Sequence, residues 1–338
     1  MTHAKARRKS IQANRALIRV ANFLSNSGLL IAVMLLFVYL SLEAPNFLSS
    51  RNLLNVLRAV AINGIIACGM TLVIISGDID VSVGSAVAWS SSLLGVLAID
   101  EGWPLELAVV AVLVQGTLIH ALAGFIRTRW QIPAFVLTLT LFISLRGAAR
   151  YITNAFPVTP FPDSFNYWGG GYVAEGIPLL ERGIPIPVII MLIAFVIFFF
   201  ITTRTTFGRS VYAIGGNEEA ARLSGISVMR TRVMTFAIIG FLSAFCGVLI
   251  SSRIMSGSSN IAEGLEFEVI AAVIIGGTSL MGGKGSIWGT FLGVLFIGLL
   301  SNGMVLQGIS PFVQEIVRGL IILVAVFIST LQRSLQRA

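Results

Sequence analysis

Long apolar stretches alternate with short polar segments along almost the whole chain. Ten stretches are mostly free of charge: 27–42, 57–75, 83–97, 105–126, 132–145, 186–201, 233–253, 267–280, 287–300 and 312–331. Apolar runs of roughly 17 to 25 residues cross a bilayer as helices, whereas barrel strands would show shorter, alternating segments. The pattern predicts an all-α membrane protein with about ten transmembrane helices, forming one domain over residues 27–331.

Composition and charge agree with a membrane protein and exclude a water-soluble globule. Of the 338 residues, 56% are hydrophobic and 11% are charged, whereas soluble domains carry about 25% charged residues. The net charge of +8 comes from basic residues that gather in the tail 1–26, in the segment 204–232 and in the last residues 332–338. Because cytoplasmic flanks of membrane helices collect Lys and Arg, we expect both terminal tails, and the loop 204–232, to be cytoplasmic.

The longest predicted outer segment covers residues 151–184 and is rich in Pro, Gly and aromatic residues. One interpretation is a plug packed on the helix ends. The other is a docking surface for a soluble partner outside the membrane. The sequence leaves both open.

Two tight inner hairpins join neighbouring apolar stretches, at 76–85 (SGDIDVSVGS) and 281–286 (MGGKGS). Their candidate functional residues are small or acidic: Gly77, Asp78, Asp80, Ser82, Gly84 and Ser85 in the first, and Gly282, Gly283 and Gly285 in the second. Gly77 to Gly84 and Gly282 to Gly289 share a seven-residue spacing, which indicates either an internal repeat of the kind that transporters contain or a coincidence among 34 glycines.

Catalytic motifs are missing from the sequence. The nearest match to a phosphate-binding P-loop, 278–285, has Thr278 in place of its first glycine and Gly285 in place of Ser or Thr, so we expect no ATP hydrolysis by this chain. Only His3 and His120 could serve as histidine partners, which argues against a serine hydrolase and against a zinc site. We therefore predict a non-catalytic chain without a metal site.

The carboxylates are predicted to lie in loops or near the ends of the spans, with Glu106, Glu268 and Glu315 near outer ends and Asp78 and Asp80 in the first hairpin. Ion-coupled transport usually requires ionisable groups deep in the membrane. We expect none near the midplane, and therefore a source of energy outside this chain.

Neutral polar residues inside the apolar stretches are candidates for a solute pathway: Asn63, Thr71, Gln115, Thr138, Asn302 and Gln307. Hydroxyl and amide groups suit a neutral, hydroxyl-rich solute such as a sugar, because they exchange hydrogen bonds without a counter-charge. The alternative is that these residues only join neighbouring helices by hydrogen bonds.

The polar segment 208–226 reads GRSVYAIGGNEEAARLSGI and is predicted to be helical. Asn217 can cap a short helix, whose positive N-terminal end Glu218 and Glu219 favour. Gly215 and Gly216 permit a sharp entry turn. Such a segment indicates a surface that touches another protein, and the alternative is an amphipathic helix lying on lipid headgroups.

Three motifs in order give the chain a family resemblance. They are SGDIDVSVGS at 76–85, the run from Glu268 to Thr290, and the segment 208–226, whose matching residues are Gly208, Arg209, Tyr212, Ala213, Ile214, Gly215, Gly216, Asn217, Ala220, Ala221, Gly225 and Ile226. Over nearly its whole length the chain resembles the permease subunits of bacterial ABC (ATP-binding cassette) importers for simple sugars, in the ribose, xylose, galactofuranose and autoinducer-2 branch. Asp78 stands where that family typically has glycine, and Val81 stands where it has leucine. Aspartate adopts left-handed backbone angles more readily than most side chains, so it can replace a glycine with a positive φ.

The resemblance implies a ten-helix permease fold of the vitamin-B12-importer type in the bacterial inner membrane, paired with an identical or a different permease. It implies that residues of 208–226 form a coupling helix for a cytoplasmic ATPase: Gly208, Arg209, Tyr212, Gly215, Gly216, Asn217, Glu218, Ala220, Ala221 and Arg222. Arg209 and Arg222 are expected to pair with acidic groups of that ATPase, which uses ATP and Mg while this chain binds no cofactor. A periplasmic sugar-binding protein would deliver a monosaccharide. The alternatives are a stand-alone secondary carrier and a scaffold or sensor.

Overall fold

The computed structural model describes residues 28–174 and 183–337. The predictions for the basic tail 1–26 and for residues 175–182 of the outer segment lie outside this part of the chain.

The described chain is a bundle of helices. Their bounds are α1 Gly28–Glu43, α2 Ser50–Ile75, α3 Val83–Gly95 with a π-helical continuation Val96–Asp100, α4 Leu105–Trp130, α5 Ala134–Ile152, α6 Asn166–Gly170, α7 Ile186–Arg204, α8 Thr206–Gly216, α9 Glu218–Leu223, α10 Val228–Ile254, α11 Leu265–Ile275, α12 Ile287–Leu306 and α13 Pro311–Arg337. A 3₁₀ turn covers Asp163–Phe165, and the two-residue strands β1 Tyr172–Val173 and β2 Ile184–Pro185 pair antiparallel. Within the described residues, seven helices are long and apolar enough to cross a membrane, which confirms an all-α membrane protein.

Within residues 28–174 and 183–337, two of the ten predicted spans form helices shorter than a membrane-crossing helix. Helix α11 has 11 residues and is about 16 Å long, roughly half of a 30 Å hydrocarbon core. The predicted span 267–280 was wrong because α11 ends before Gly276, and Gly277 follows with a φ of 87°. In the described part of the chain, which begins at Gly28, the first predicted span is the short apolar helix α1 over Gly28–Glu43.

Helix α2 lies at the centre of the bundle and packs against α7, α10, α11 and α12. Glycine lets it approach its neighbours closely, since a Cβ on Gly69 would lie 3.0 Å from Leu242 on α10. The α4–α10 contact is built in the same way, and a Cβ on Gly116 would lie 2.6 Å from Ala244. Small residues commonly allow such close packing of membrane helices.

The outer segment is partly packed and partly exposed where the structure describes it. Phe161 and Phe165 are buried in a cluster with residues of α3, α4 and α10. Phe156, Tyr167 and Trp168 are exposed. The first pair fits the plug interpretation, and the exposed aromatic residues leave a surface for the docking interpretation.

Candidate functional site

The polar segment after α7 forms two short helices, α8 and α9, separated by Asn217. Asn217 has extended backbone angles, and its Oδ1 accepts the N–H of Ala220 at 3.0 Å. Glu218 and Glu219 occupy the first turn of α9, and Arg222 occupies the last. The predicted cap and charge order of this helix are therefore present.

Gly215 is required for a different reason from the one the sequence indicated, whereas packing does not require Gly216. Both are helical residues at the end of α8, and neither has a positive φ, so the predicted sharp entry turn was wrong. A Cβ on Gly215 would overlap the carbonyl group of Ile75 and lie 2.5 Å from the backbone nitrogen of Gly283. Gly215 therefore permits close backbone contact, while a Cβ on Gly216 would meet open space.

The two predicted hairpins meet α8 at one end of the bundle. The N–H of Gly283 donates to the carbonyl oxygen of Ile75 at 2.8 Å, and the Tyr212 hydroxyl donates to the carbonyl oxygen of Gly285 at 2.9 Å. Burial raises the pKa of Tyr212 above its usual value, which keeps this hydroxyl protonated as a donor. We call this contact of residues 75–78, 212–216 and 282–285 the inner junction.

Helices α2 and α11 end with the same hydrogen-bond pattern. Gly77 has a φ of 84° and Gly277 a φ of 87°. At each end the glycine N–H bonds to the carbonyl three residues earlier and the next N–H to the carbonyl five residues earlier, at 3.0 and 3.1 Å after α2 and at 2.8 and 3.2 Å after α11. This left-handed helix stop makes Gly277, rather than Gly282, the structural counterpart of Gly77.

The first hairpin continues into the bundle and buries Asp80. The Ser82 backbone N–H and hydroxyl both donate to Asp80 Oδ1, at 2.8 and 2.6 Å, and His120 Nε2 lies 3.5 Å from Asp80 Oδ2. His120 is ten residues before the end of α4, or about 15 Å along it. Asp80 therefore lies inside the bundle, because 77–82 folds inward beside α5, where the Val81 N–H donates to Thr138 Oγ1. The absence of carboxylates near the midplane stays a prediction.

Asp80, Ser82 and His120 share the residue types of a hydrolase triad but lack its arrangement. The Ser82 hydroxyl donates to Asp80 Oδ1 at 2.6 Å, although its Oγ also lies 3.3 Å from His120 Nε2. In a hydrolase triad the serine passes its proton to histidine instead. All three side chains are at most 1% exposed, so no substrate reaches them in this structure. The cluster holds the hairpin against α4.

A second carboxylate, Glu268, also lies deep in the bundle. Its Oε2 accepts from Asn63 Nδ2 at 2.8 Å, and its Oε1 lies 3.0 Å from Arg318 Nη1. Asn63 is near the middle of α2, so Glu268 is not at an outer end as the sequence indicated. The reason is that α11 begins partway across the bundle.

Most of the proposed pathway residues have partners on neighbouring elements. Thr71 and Thr290 hydrogen-bond at 2.7 Å between α2 and α12, and Asn302 donates to Asn52 at 2.8 Å. Thr138 donates to the carbonyl oxygen of Ile79 at 3.2 Å. These contacts fit the alternative interpretation, hydrogen bonding between helices.

Two further candidates have no such partner. Within the described residues the Gln115 amide has no hydrogen-bond partner, although both of its polar atoms are buried. Gln307 is exposed. A pathway role for any of the six stays a prediction.

Asp78 is the hub of a charged network at the inner junction. Its Oδ1 lies 2.9 Å from Arg127 Nε and its Oδ2 2.9 Å from Arg232 Nε. Glu218 bridges two arginines: its Oε2 lies 2.9 Å from Arg232 Nη2, and its Oε1 lies 3.0 Å from Arg222 Nη2. Burial opposes ionisation of Glu218, but the hydrogen bond and charge of Arg232, with the charges of Arg127 and Arg222, outweigh it and lower the pKa of this carboxyl.

The sequence did not single out Arg127, Arg232 or His120 as partners. The available signal was Asp78 itself, since an acidic residue beside apolar stretches requires a cation. The left-handed backbone angle considered for Asp78 belongs to Gly77 instead. Arg222, expected to be free for an ATPase, pairs with Glu218 while remaining 60% exposed, and Arg209 is exposed.

Comparison with known proteins places this arrangement in a family. Residues 52–326 match the family described as "Branched-chain amino acid transport system / permease component". No solved structure matches. The chain is 47% identical to the probable ABC transporter permease protein YphD of Escherichia coli K12, over 93% of each chain. It is 39% identical to the ribose import permease protein RbsC of Bacillus subtilis 168, over 95% of this chain and 97% of that protein.

The xylose transport system permease protein XylH of Escherichia coli K12 is 36% identical, over 89% of this chain and 90% of that protein. These relatives are permease subunits, and the helical architecture agrees with that role. The chain belongs to this family of ABC transporter permeases, as a non-catalytic multi-pass membrane subunit.

Proposed function

We propose that this chain is the membrane permease of an ATP-driven importer, which moves a monosaccharide or similar polyhydroxylated solute across the bacterial inner membrane. The names of its ribose and xylose relatives support the solute class. The observation that carries the proposal is the seating of α8 and α9. Their outer side is exposed, including Arg209 and Leu223, while their inner side is fixed to the inner junction through Gly215 and Tyr212.

A segment with this geometry is suited to transmit force from a partner. A cytoplasmic ATPase would bind the exposed side of α8 and α9 and use ATP and Mg. Movement of α8 would act on the end of α2 and on the loop before α12, because Gly215 allows no clearance against Ile75 and Gly283. This assignment places both termini and α8–α9 in the cytoplasm, in agreement with the distribution of basic residues.

The solute would cross between two permeases. Helix α5 leaves one long face exposed, and Thr140 and Ser144 lie on it. Neutral hydroxyl groups on an otherwise apolar face suit a sugar and a second permease of the same or different sequence. The complete subunit would have ten membrane segments, with α11 as a half-length segment, in the vitamin-B12-importer arrangement. Exposed Tyr167 and Trp168 on the opposite side would face a periplasmic sugar-binding protein.

The second candidate function is a stand-alone secondary carrier, because two carboxylates lie inside the bundle. Asp80 and Glu268 are carboxylates inside the bundle, and carboxylates deep in a membrane often belong to proton or sodium relays. Each, however, is paired with a cationic or potentially cationic partner, His120 and Arg318 respectively. Carboxylates held by partners on neighbouring elements in this way fit a structural role.

Vesicle transport separates the two functions. The full chain is reconstituted with a partner ATPase and binding protein, and labelled ribose or xylose is supplied with ATP, with a proton or sodium gradient, or with neither. The proposal predicts accumulation with ATP alone, and none when the ATPase is omitted. Accumulation driven by an ion gradient without the ATPase would establish the carrier instead.

A further inference from the structure

Asp78 uses both carboxylate oxygens to hold two helices at the inner junction. Oδ1 pairs with Arg127 near the end of α4, and Oδ2 pairs with Arg232 near the start of α10, both at 2.9 Å. The Asp78 and Arg232 side chains are at most 4% exposed. A buried pair of this kind loses much of its stability when one partner is removed, since the other charge stays buried without compensation.

The network continues from the buried hub to the surface. Arg232 also binds Glu218 Oε2 through Nη2, and Glu218 Oε1 binds Arg222. Arg232 therefore joins the hairpin residue Asp78 to a residue of α9. Glu218 belongs to the segment whose outer side is exposed, so the chain of ion pairs connects that surface with the first hairpin.

The hairpin carries this connection into the membrane. Asp80 follows Asp78 by two residues and lies against His120 in the interior of α4. Between them the chain has little freedom, because Thr138 accepts from the Val81 N–H and donates to the Ile79 carbonyl. A displacement of Asp78 is therefore transmitted to Asp80 through a short, hydrogen-bonded segment.

The Asp78 carboxylate is the group that links Arg127 of α4 to Arg232 of α10. Even with Asp78 present, Arg232 Nη1 has no hydrogen-bond partner among the described residues. Without Asp78, Arg232 would depend on Glu218 alone.

We propose that Asp78 is a positioning residue that locks α9 to the first hairpin through Arg232, so that the two move as one unit. The inference rests on the proposed function for its purpose, since α9 is the surface that an ATPase would move. The lock itself is formed within this chain and needs no partner protein. Coupling between two sites is reciprocal, so loosening either end should loosen the other.

Hydrogen–deuterium exchange on the full chain in lipid nanodiscs, without an ATPase, tests the lock. Asp78→Asn keeps the size of the side chain and removes its charge, and Glu218→Gln does the same at the exposed end. We expect Asp78→Asn to raise amide exchange in 218–223 by about tenfold, and Glu218→Gln to raise exchange in 76–82. The matched control is Glu263→Gln, whose exposed pair with Arg150 lies elsewhere, and it should change neither segment.

The lock is refuted if Asp78→Asn leaves α9 exchange unchanged, or if Glu218→Gln leaves the hairpin unchanged. Should Asp78→Asn fail to fold, the Glu218→Gln result decides alone, because the Glu218 side chain is only half-buried. Vesicle uptake keeps the two proposals apart. If each variant raises exchange in the other segment but uptake does not depend on the ATPase, the lock is supported and the proposed function is rejected. If uptake depends on the ATPase but exchange in the other segment does not change, only the lock is rejected.

Discussion

The carbonyl oxygen of Ile75, the last residue of α2, accepts the backbone N–H of Gly283 at 2.8 Å. This bond joins the most buried helix of the bundle to the loop before α12, and Gly215 of α8 lies directly against both groups. The surface proposed for an ATPase is therefore in backbone contact with two membrane segments. No long side chain intervenes that could absorb a small displacement.

The first prediction concerns the fit of Gly215. Gly215→Ala should destabilise the protein by about 1–3 kcal/mol, the usual cost of overpacking, because its Cβ would overlap the Ile75 carbonyl. Thermal unfolding in detergent measures this cost. Gly216→Ala is the matched control, since its Cβ meets open space, and it should unfold at or above the wild-type temperature. Equal behaviour of the two variants would contradict the close contact.

The second prediction concerns Asp80 and His120. Asp80→Asn should cost about 1.5–3 kcal/mol of unfolding free energy, because the buried Ser82 N–H and hydroxyl would lose their charged acceptor. His120→Gln should cost a similar amount, and the double variant should cost less than the sum of the two, as expected for contacting residues. Denaturant unfolding in mixed micelles gives the three values. Additive costs would show that these residues do not interact.

The third prediction separates packing from solute contact at Thr71 and Thr290. Thr71→Val and Thr290→Val should each lower stability by about 0.6 kcal/mol, typical of hydrogen bonds between membrane helices. ATP-driven uptake should stay near the wild-type rate, because both hydroxyls are buried against each other. A large loss of uptake at unchanged stability would assign Thr71 to the solute pathway, as the sequence predicted.

The fourth prediction concerns pH. Because the pKa of Glu218 is lowered in the folded chain, its ion pairs stabilise the protein above the unfolded pKa, about 4.3. That contribution is lost as the pH falls through the lower, folded value. The difference in melting temperature between wild type and Glu218→Gln should stay constant from pH 7 to about 5 and vanish in more acidic solution. A difference that disappears already near pH 6.5 would implicate another group.

Local sequence signals predicted the helical class and the cap at Asn217, because both depend on residues close together in the chain. The depth of Asp80 and Glu268 could not be predicted in this way. It depends on the inward path of 77–82 and on the point in the bundle where α11 begins, and hydropathy over a window does not report either feature. Gly215 was recognised as important but for the wrong reason, since its requirement comes from Ile75 and Gly283, which are distant in sequence.

The most direct test of the account is ATP-driven uptake by Gly216→Trp beside Gly216→Ala, each reconstituted with the partner ATPase and binding protein. Gly216 faces open space on the exposed side of α8, so a bulky residue there should leave insertion and melting temperature unchanged. The account predicts wild-type uptake for Gly216→Ala, and loss of both uptake and ATPase binding for Gly216→Trp. Wild-type uptake by a correctly folded Gly216→Trp would contradict the claim that force enters through this surface.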